Sequence, residues 1–395
     1  MGVCMKKGTG WASPWIICLF LFFSSAACNA APLSINPTVA DRTSAIPLPA
    51  ALPSPSRAPV TPSSTPLKRE PEYHALLSWR TTRIMGLAWS PDSQRLATVA
   101  GDTLDDTHIH LIDLVSLHGS RFSEPAYDAA STFSPDGQEL VVGSLGVLEV
   151  WKLSDQALLG RAPGNHAFFV TYFPGRSDSF MVATASLDNS PVETLSLQSV
   201  DSTWDFQPFL EVKGYLRNIS LNANGSLLAT AIKYFDNAAD NGEHVLVWDL
   251  ASKKQICRFG GMNVAFGAAD TLGTAASDGI SLWDARTCVL VKHFSAGPGY
   301  PYTITFSPDG KLLAFASGKN GIVILDASSG EVLQNLDGLL DYAEYIRFSP
   351  DGRFLATVSR TLDQTPNEAV LIVWKTSDDP LPPIELSTAF FETAK

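Results

Sequence analysis

Short apolar runs separated by tight polar turns recur along this chain with a fixed rhythm. The clearest unit opens with Tyr302-Thr-Ile-Thr-Phe306, whose apolar and small polar residues alternate as in a half-buried strand. The turn Ser307-Pro-Asp-Gly310 follows; Pro presets one backbone dihedral there and Gly accepts a positive φ. Lys311-Leu-Leu-Ala-Phe-Ala-Ser317 is then almost wholly apolar, as expected of a strand buried on both faces. Gly321-Ile-Val-Ile-Leu-Asp326 and Glu331-Val-Leu-Gln-Asn-Leu336 complete the unit as third and fourth strands. The turn recurs in Phe133-Ser-Pro-Asp-Gly137 and Phe348-Ser-Pro-Asp-Gly352, with the variant Trp89-Ser-Pro-Asp-Ser93. Units at Phe306 and Phe348 start 42 residues apart, those at Trp89 and Phe133 44 apart, and the 173 residues from Phe133 to Phe306 span four periods of about 43.

One four-stranded sheet of this kind cannot bury both faces, but a ring of them can. A period of about 40–45 residues with several short strands predicts an all-β fold, a β-propeller of four-stranded antiparallel blades. First-strand turns at Trp89, Phe133, Tyr172, Leu221, Phe266, Phe306 and Phe348 give seven blades. The third blade is the least regular: its turn is Tyr172-Phe-Pro-Gly175, and its third strand, Glu193-Thr-Leu-Ser-Leu197, has no Trp.

Third strands elsewhere end in Val150-Trp151-Lys152, Val247-Trp248-Asp249, Leu282-Trp283-Asp284 and Val373-Trp374-Lys375, with Ile112-Asp113 and Leu325-Asp326 as weaker forms. In these signatures the region 72–378 resembles the WD-repeat propellers, of a bacterial exported or lipoprotein type, and its turns are similar to those of TolB-like envelope propellers. The resemblance implies a fold and leaves function open. Well-conforming WD repeats carry a Gly-His dipeptide, which is absent here, although Asp278 with Trp283 keeps part of that arrangement.

The last unit runs through Val370-Leu-Ile-Val-Trp374 into Asp378-Asp-Pro-Leu-Pro-Pro383 and lacks a fourth strand of its own. Tyr73-His-Ala-Leu-Leu-Ser-Trp79 stands at the right distance before the first blade to supply it, closing the ring and removing an edge. Ile384-Glu-Leu-Ser387, in the C-terminal tail (379–395), competes for that place.

The N-terminus reads differently. Lys6 and Lys7, the apolar Trp15 to Phe23, and Ser24-Ser-Ala-Ala27 before Cys28 read as a signal peptide over 1–27. Cleavage before Cys28 would expose a lipidation site, although Ser25 stands where a lipoprotein signal usually has Leu or Val. Ordinary secretion and an uncleaved anchor are the alternatives. Residues 28–71, rich in Pro, Ser and Thr, are expected to form a disordered tether. Cys257 and Cys288 are expected on the outer strands of adjacent blades as unpaired thiols.

With residues 1–71 set aside, 22 basic and 38 acidic residues remain, a formal charge of −16. Such a charge opposes nucleic acid and anionic membrane surfaces and permits a basic protein partner, a cation, or solubility alone. Membrane contact is then expected only through the N-terminal anchor, and the protein is expected to be a monomer. Three connections between second and third strands are long, at 101–107, 233–243 and 359–368. They carry Asp102, Asp105, Asp106, Tyr234, Phe235, Asp236, Asp240, Glu243, Asp363 and Glu368. Long loops on a rigid ring are where function concentrates. On first strands, towards the channel mouth, Arg217, Tyr302 and Glu344 are further partner-binding candidates, with Phe168 nearby.

Catalytic motifs are sparse. His108-Ile-His110 offers two imidazoles on one side of a strand without a third ligand at useful spacing, and reads as an exposed strand face. The acids of 236–243 do not follow EF-hand spacing. Asn218-Ile-Ser220 and Asn224-Gly-Ser226 match glycosylation acceptors. The reading is a non-catalytic protein-interaction scaffold outside the cytoplasmic membrane, with no cofactor and no metal. The alternatives are a propeller hydrolase or lyase with a metal or small ligand at the channel mouth, and a TolB-like assembly or sensing component.

Overall fold

The computed structural model describes residues 72–393, apart from connecting segments at 104–106, 126–129, 145–146, 164–166, 186–193, 202–205, 234–241, 296–300, 318–320, 362–367, 378–381 and 388–389. After β1 (Tyr73–Thr81), the strands fall into consecutive groups. The first is β2 (Arg83–Trp89), β3 (Arg95–Gly101), β4 (His108–Asp113) and β5 (His118–Pro125). The second is β6 (Ala130–Phe133), β7 (Glu139–Ser144), β8 (Val147–Lys152) and β9 (Ala157–Pro163). The third is β10 (Ala167–Tyr172), β11 (Ser179–Ala185), β12 (Thr194–Asp201) and β13 (Phe206–Lys213). The fourth is β14 (Tyr215–Leu221), β15 (Leu227–Lys233), β16 (Glu243–Asp249) and β17 (Lys254–Gly260). The fifth is β18 (Asn263–Phe266), β19 (Thr271–Ala276), β20 (Gly279–Asp284) and β21 (Val289–Phe294). The sixth is β22 (Pro301–Phe306), β23 (Leu312–Ser317), β24 (Ile322–Asp326) and β25 (Val332–Leu336). The last comprises β26 (Tyr342–Phe348), β27 (Phe354–Arg360) and β28 (Ala369–Thr376), followed by β29 (Ile384–Leu386) and β30 (Phe391–Thr393).

Among the described residues these strands form seven sheets, antiparallel and in chain order within each group, with β1 and β29 added to the last and β30 to the first. First strands of successive sheets meet: β2 with β6, β6 with β10, β14 with β18, β18 with β22, β22 with β26, and β26 with β2. The third and fourth sheets share a cluster containing Met181, Val212 and Leu216. Second strands are the most buried, as their apolar runs require. Leu227 to Ile232 of β15 and Leu313 to Ser317 of β23 are buried throughout, each large side chain contributing ~1.5–3 kcal/mol.

The Ser-Pro-Asp-Gly turn is a small hydrogen-bonded device. The Ser307 hydroxyl donates to Asp309 (2.7 Å) and accepts from the Leu312 N–H (2.9 Å), while Asp309 accepts from the Lys311 N–H (3.1 Å). Gly310 has φ +72°, and a Cβ there would stand 2.6 Å from that of Ala268. Neighbouring turns also touch: Arg95 donates to the Gly137 carbonyl (3.0 Å), and the Asp351 N–H to the Ser93 hydroxyl (3.0 Å). All these turns therefore crowd one face of the ring. Even the irregular third turn closes, with Arg176 N–H donating to the Phe173 carbonyl at 3.0 Å.

Within blades, the third-strand tryptophans reach back to second-strand threonines. Trp248, Trp283 and Trp374 donate to Thr230, Thr274 and Thr357 at 3.2, 2.9 and 3.0 Å. Between blades four and five, Asn218 is buried and donates to the Asn263 side chain and the Val264 carbonyl, both at 2.9 Å. It is therefore a staple between blades and not an accessible glycosylation site.

Both ends of the described region take part in the seam. β1 pairs antiparallel with β28, Tyr73 opposite Thr376 and Thr81 opposite Ala369, and so holds the fourth position of the last sheet. The competing segment does not displace it. β29 adds alongside as a fifth strand, parallel to β1, with Leu77, Ser78 and Trp79 opposite Ile384, Glu385 and Leu386. The chain then crosses to the first sheet, where β30 runs parallel to β5. Phe391 is buried there, its ring 4.5 Å from those of Trp79 and His110. His110 is thus packed inside the seam, and the expected exposed histidine face is corrected by the tail that covers it.

The two cysteines form a disulfide, against the expectation of unpaired thiols. Cys257 lies on outer strand β17, but Cys288 occupies the turn before β21, with φ +60°. The turn reaches towards the neighbouring blade where two outer strands would splay apart, and brings the Cα atoms to 5.6 Å.

Candidate functional site

Connections between second and third strands leave from the end of each sheet opposite the Ser-Pro-Asp-Gly turns. Register fixes this: Arg83 faces Gly101, Tyr215 faces Lys233 and Tyr342 faces Arg360, so each first strand begins where its second strand ends. The roots of all three long loops accordingly lie on one face of the ring.

At these roots the acids are already engaged. Asp102 accepts from the Thr81 hydroxyl at 2.8 Å, a bond from the closing strand to the first blade. Glu243 accepts from Arg217 at 2.8 Å, with Lys233 at 4.0 Å. Glu368 lies 3.8 Å from Arg80, and its N–H donates to the Thr361 hydroxyl at 3.0 Å. Glu344 is 3.4 Å from Arg360, whose guanidinium also stacks over Tyr342. The structure brings Arg217 and Glu243 together on blade four, pairs Glu344 with Arg360 and Glu368 with Arg80 on blade seven, and bonds Asp102 of blade one to Thr81 of the closing strand. Exposed pairs of this kind add little to stability; their effect is to fix loop roots as alternating charges.

Asp105, Asp106, Tyr234, Phe235, Asp236, Asp240, Asp363 and Cys28 lie outside the described residues. Tyr302 is placed on first strand β22 and Phe168 on first strand β10, without described side chains.

The opposite face carries a groove of about 610 Å³ between blades six and seven, lined by Tyr73, Asp309, Asp326, Gln334, Asp351 and Arg353. Tyr73 is among the residues held most firmly at this groove. Its hydroxyl donates to the Gly352 carbonyl (2.6 Å), while its backbone N–H and carbonyl both meet the Gln334 amide (2.8 and 2.7 Å). Burial, with Asp309 and Asp351 nearby, pushes the phenol well above its ordinary range, so Tyr73 serves as a fixed donor. The acids are firmly ionised. The Ser307 hydroxyl holds Asp309 below the usual carboxylate range, and the Ser328 hydroxyl and Ser329 N–H bring Asp326 down to about 2. These bonds belong to turns and account for the acids without a ligand.

Three features escaped the sequence reading. The disulfide depends on a turn reaching between blades, and no spacing announces it. The tail strand β30 is too short to stand out from a Pro-rich end, and nothing in Ile384-Glu-Leu-Ser387, a rival for the closing place, announces a fifth strand beside β1. The apolar outer strand β21 did carry a signal: Val289-Leu-Val291 fails to alternate in a strand at the outer edge of its sheet.

No known family profile matches the sequence, and no curated protein does. Among solved structures, the chain is similar to a WD40 β-propeller in the crystal structure of the mitotic checkpoint complex. The TM-score is 0.61 at 18% identity, over 83% of this chain and 99% of that one. As many as 1467 solved chains match, so the likeness specifies the architecture and not an activity. This chain has the all-β propeller fold, built from four-stranded antiparallel sheets.

Proposed function

We propose that this protein is a non-catalytic interaction scaffold, displayed outside the cytoplasmic membrane on a lipid-anchored tether, that grips a basic protein partner with its loop face. The observation that carries this reading is the emergence of all three long, acid-bearing loops on one face of a rigid ring. Alternating charges at their roots favour electrostatic steering and register over bulk affinity. The structural neighbour, a propeller from a multiprotein complex, supports protein binding in general. The Cys257–Cys288 bridge supports an oxidising compartment, and with it export. The signal-like start supports anchoring through Cys28, with 28–71 as the spacer before a propeller over 72–378.

The test is affinity capture from the native cell envelope, beside a variant whose three loops are shortened to Gly-containing turns. A basic protein captured by the parent and lost with the variant is the expected result. Recovery of the same set by both variants would remove the loop face from consideration.

A further inference from the structure

The outer edges of the sheets differ in what covers them. Two receive an added parallel strand from the chain's own tail: β29 on β1, and β30 on β5. Each added tripeptide places a glutamate behind an apolar residue, Ile384-Glu385-Leu386 and Phe391-Glu392-Thr393. The receiving segments have bases beside them, Arg80 after Trp79 on β1, and His118 and Arg121 on β5. The molecule thus displays one way in which its edges accept a strand: short, parallel, apolar and acidic.

Among the described residues β21 has no such cover. Val289, Leu290 and Val291 are 58, 48 and 64% exposed. Val289 and Leu290 are successive strand residues on opposite faces, and Val291 is the extra residue of a bulge opposite Leu282 and Trp283, so apolar side chains are exposed on both faces of an edge whose outward backbone groups can pair with another strand. The strand is held in place on two sides. The disulfide ties the turn before it to β17, and the Lys292 ammonium donates to the Ser328 and Ser329 carbonyls of the next blade. An edge fixed in this way loses little freedom when a partner pairs with it. Charge selects the partner: β17 and β21 contain Lys254, Arg258 and Lys292 and no carboxylate, in a region of formal charge −16 from residue 72 onward.

We propose that β21 is a docking edge for an extended segment of a partner protein, alternating apolar residues with carboxylates, which adds as a fifth strand parallel to β21. Main-chain pairing supplies the affinity and alternate side chains the selectivity. This surface lies on the rim of the ring and is separate from the loop face.

The probe is a labelled synthetic peptide with the sequence of residues 382–393, followed by fluorescence anisotropy on the full chain. Saturable binding is expected, weakened at least tenfold by Val291→Asp and unchanged by Leu159→Asp on the apolar but less exposed edge of blade two. A peptide with both glutamates replaced by Gln should bind several-fold more weakly. The thermal midpoint of the Val291→Asp protein should match the parent, because the side chain is exposed. The loop-shortened variant should bind the peptide normally, so failure of the loop-face reading leaves this one standing. Three results would overturn the proposal: no saturable binding, undiminished binding to Val291→Asp through exchange with the protein's own tail, or loss with the loop-shortened variant.

Discussion

Removing the Cys257–Cys288 bridge, by Cys257→Ala with Cys288→Ala or by reduction, should lower the stability of the propeller measurably. The bridge closes a loop with a sequence separation of 31 residues. The chain-entropy relation for that loop gives about 12 cal/mol/K, or about 3.7 kcal/mol at 25 °C, most of it from restricting the unfolded chain. Cys257 is buried, so the double substitution also removes some packing, whereas reduction isolates the link. Urea unfolding followed by tryptophan fluorescence, with and without reductant, should show the reduced midpoint shifted down by an amount equivalent to about 2–4 kcal/mol. Hydrogen exchange should rise first in β17 and β21, the strands that the bridge ties together. Peptide mapping after alkylation without reductant supplies the independent check. If both cysteines were alkylated in the native protein, or if the two midpoints coincided, the geometric argument for the bridge would fail.

Other expectations follow from the same contacts. Asn218→Ala removes the two bonds that join the blades, to the Val264 carbonyl and to Asn263 Oδ1, leaving the latter only the Val264 N–H, and should cost about 1–3 kcal/mol in thermal or urea unfolding. Phe391→Ala empties the pocket against Trp79 and His110 and should cost about 3–5 kcal/mol, with faster hydrogen exchange in β1 and β5. Gly310→Ala should destabilise because of its positive φ and the close approach of Ala268, whereas Ser93→Ala, where the equivalent turn already carries a Cβ, adds no such clash and loses only the bond from the Asp351 N–H, so it should be milder in the same assay. Asp309 and Asp326 have folded-state pKa values below the unfolded ones, so their stabilisation is complete above roughly pH 4 and lost as pH falls through the folded values. Asp309→Asn with Asp326→Asn should therefore flatten the fall in thermal midpoint between roughly pH 4 and pH 2.

Much of the fold was legible because its information is local and repeated. Ser-Pro-Asp-Gly encodes its own turn through a hydroxyl, a carboxylate and a left-handed glycine, all within five residues. Apolar second strands announce burial on both faces, and the Tyr73–Trp79 run announced a strand missing from the last blade. The candidate site was legible only as a set of loop roots. The sequence shows Arg217 and Glu243 as separate charges, and their contact arises because β14 begins where β15 ends. His110 read as exposed because nothing in β4 predicts that Phe391, nearly three hundred residues later, will cover it.

By itself, then, the sequence determined the repeating strand-and-turn unit, the sheets as antiparallel quartets and the face from which long loops emerge, because these depend on interactions within one period. Tertiary structure alone decided the Cys257–Cys288 pairing, the burial of Asn218 and His110, and the different fates of the outer edges. Each of these requires two segments from different blades to meet, and that meeting is set by how the sheets splay around the ring, a geometry no single period contains.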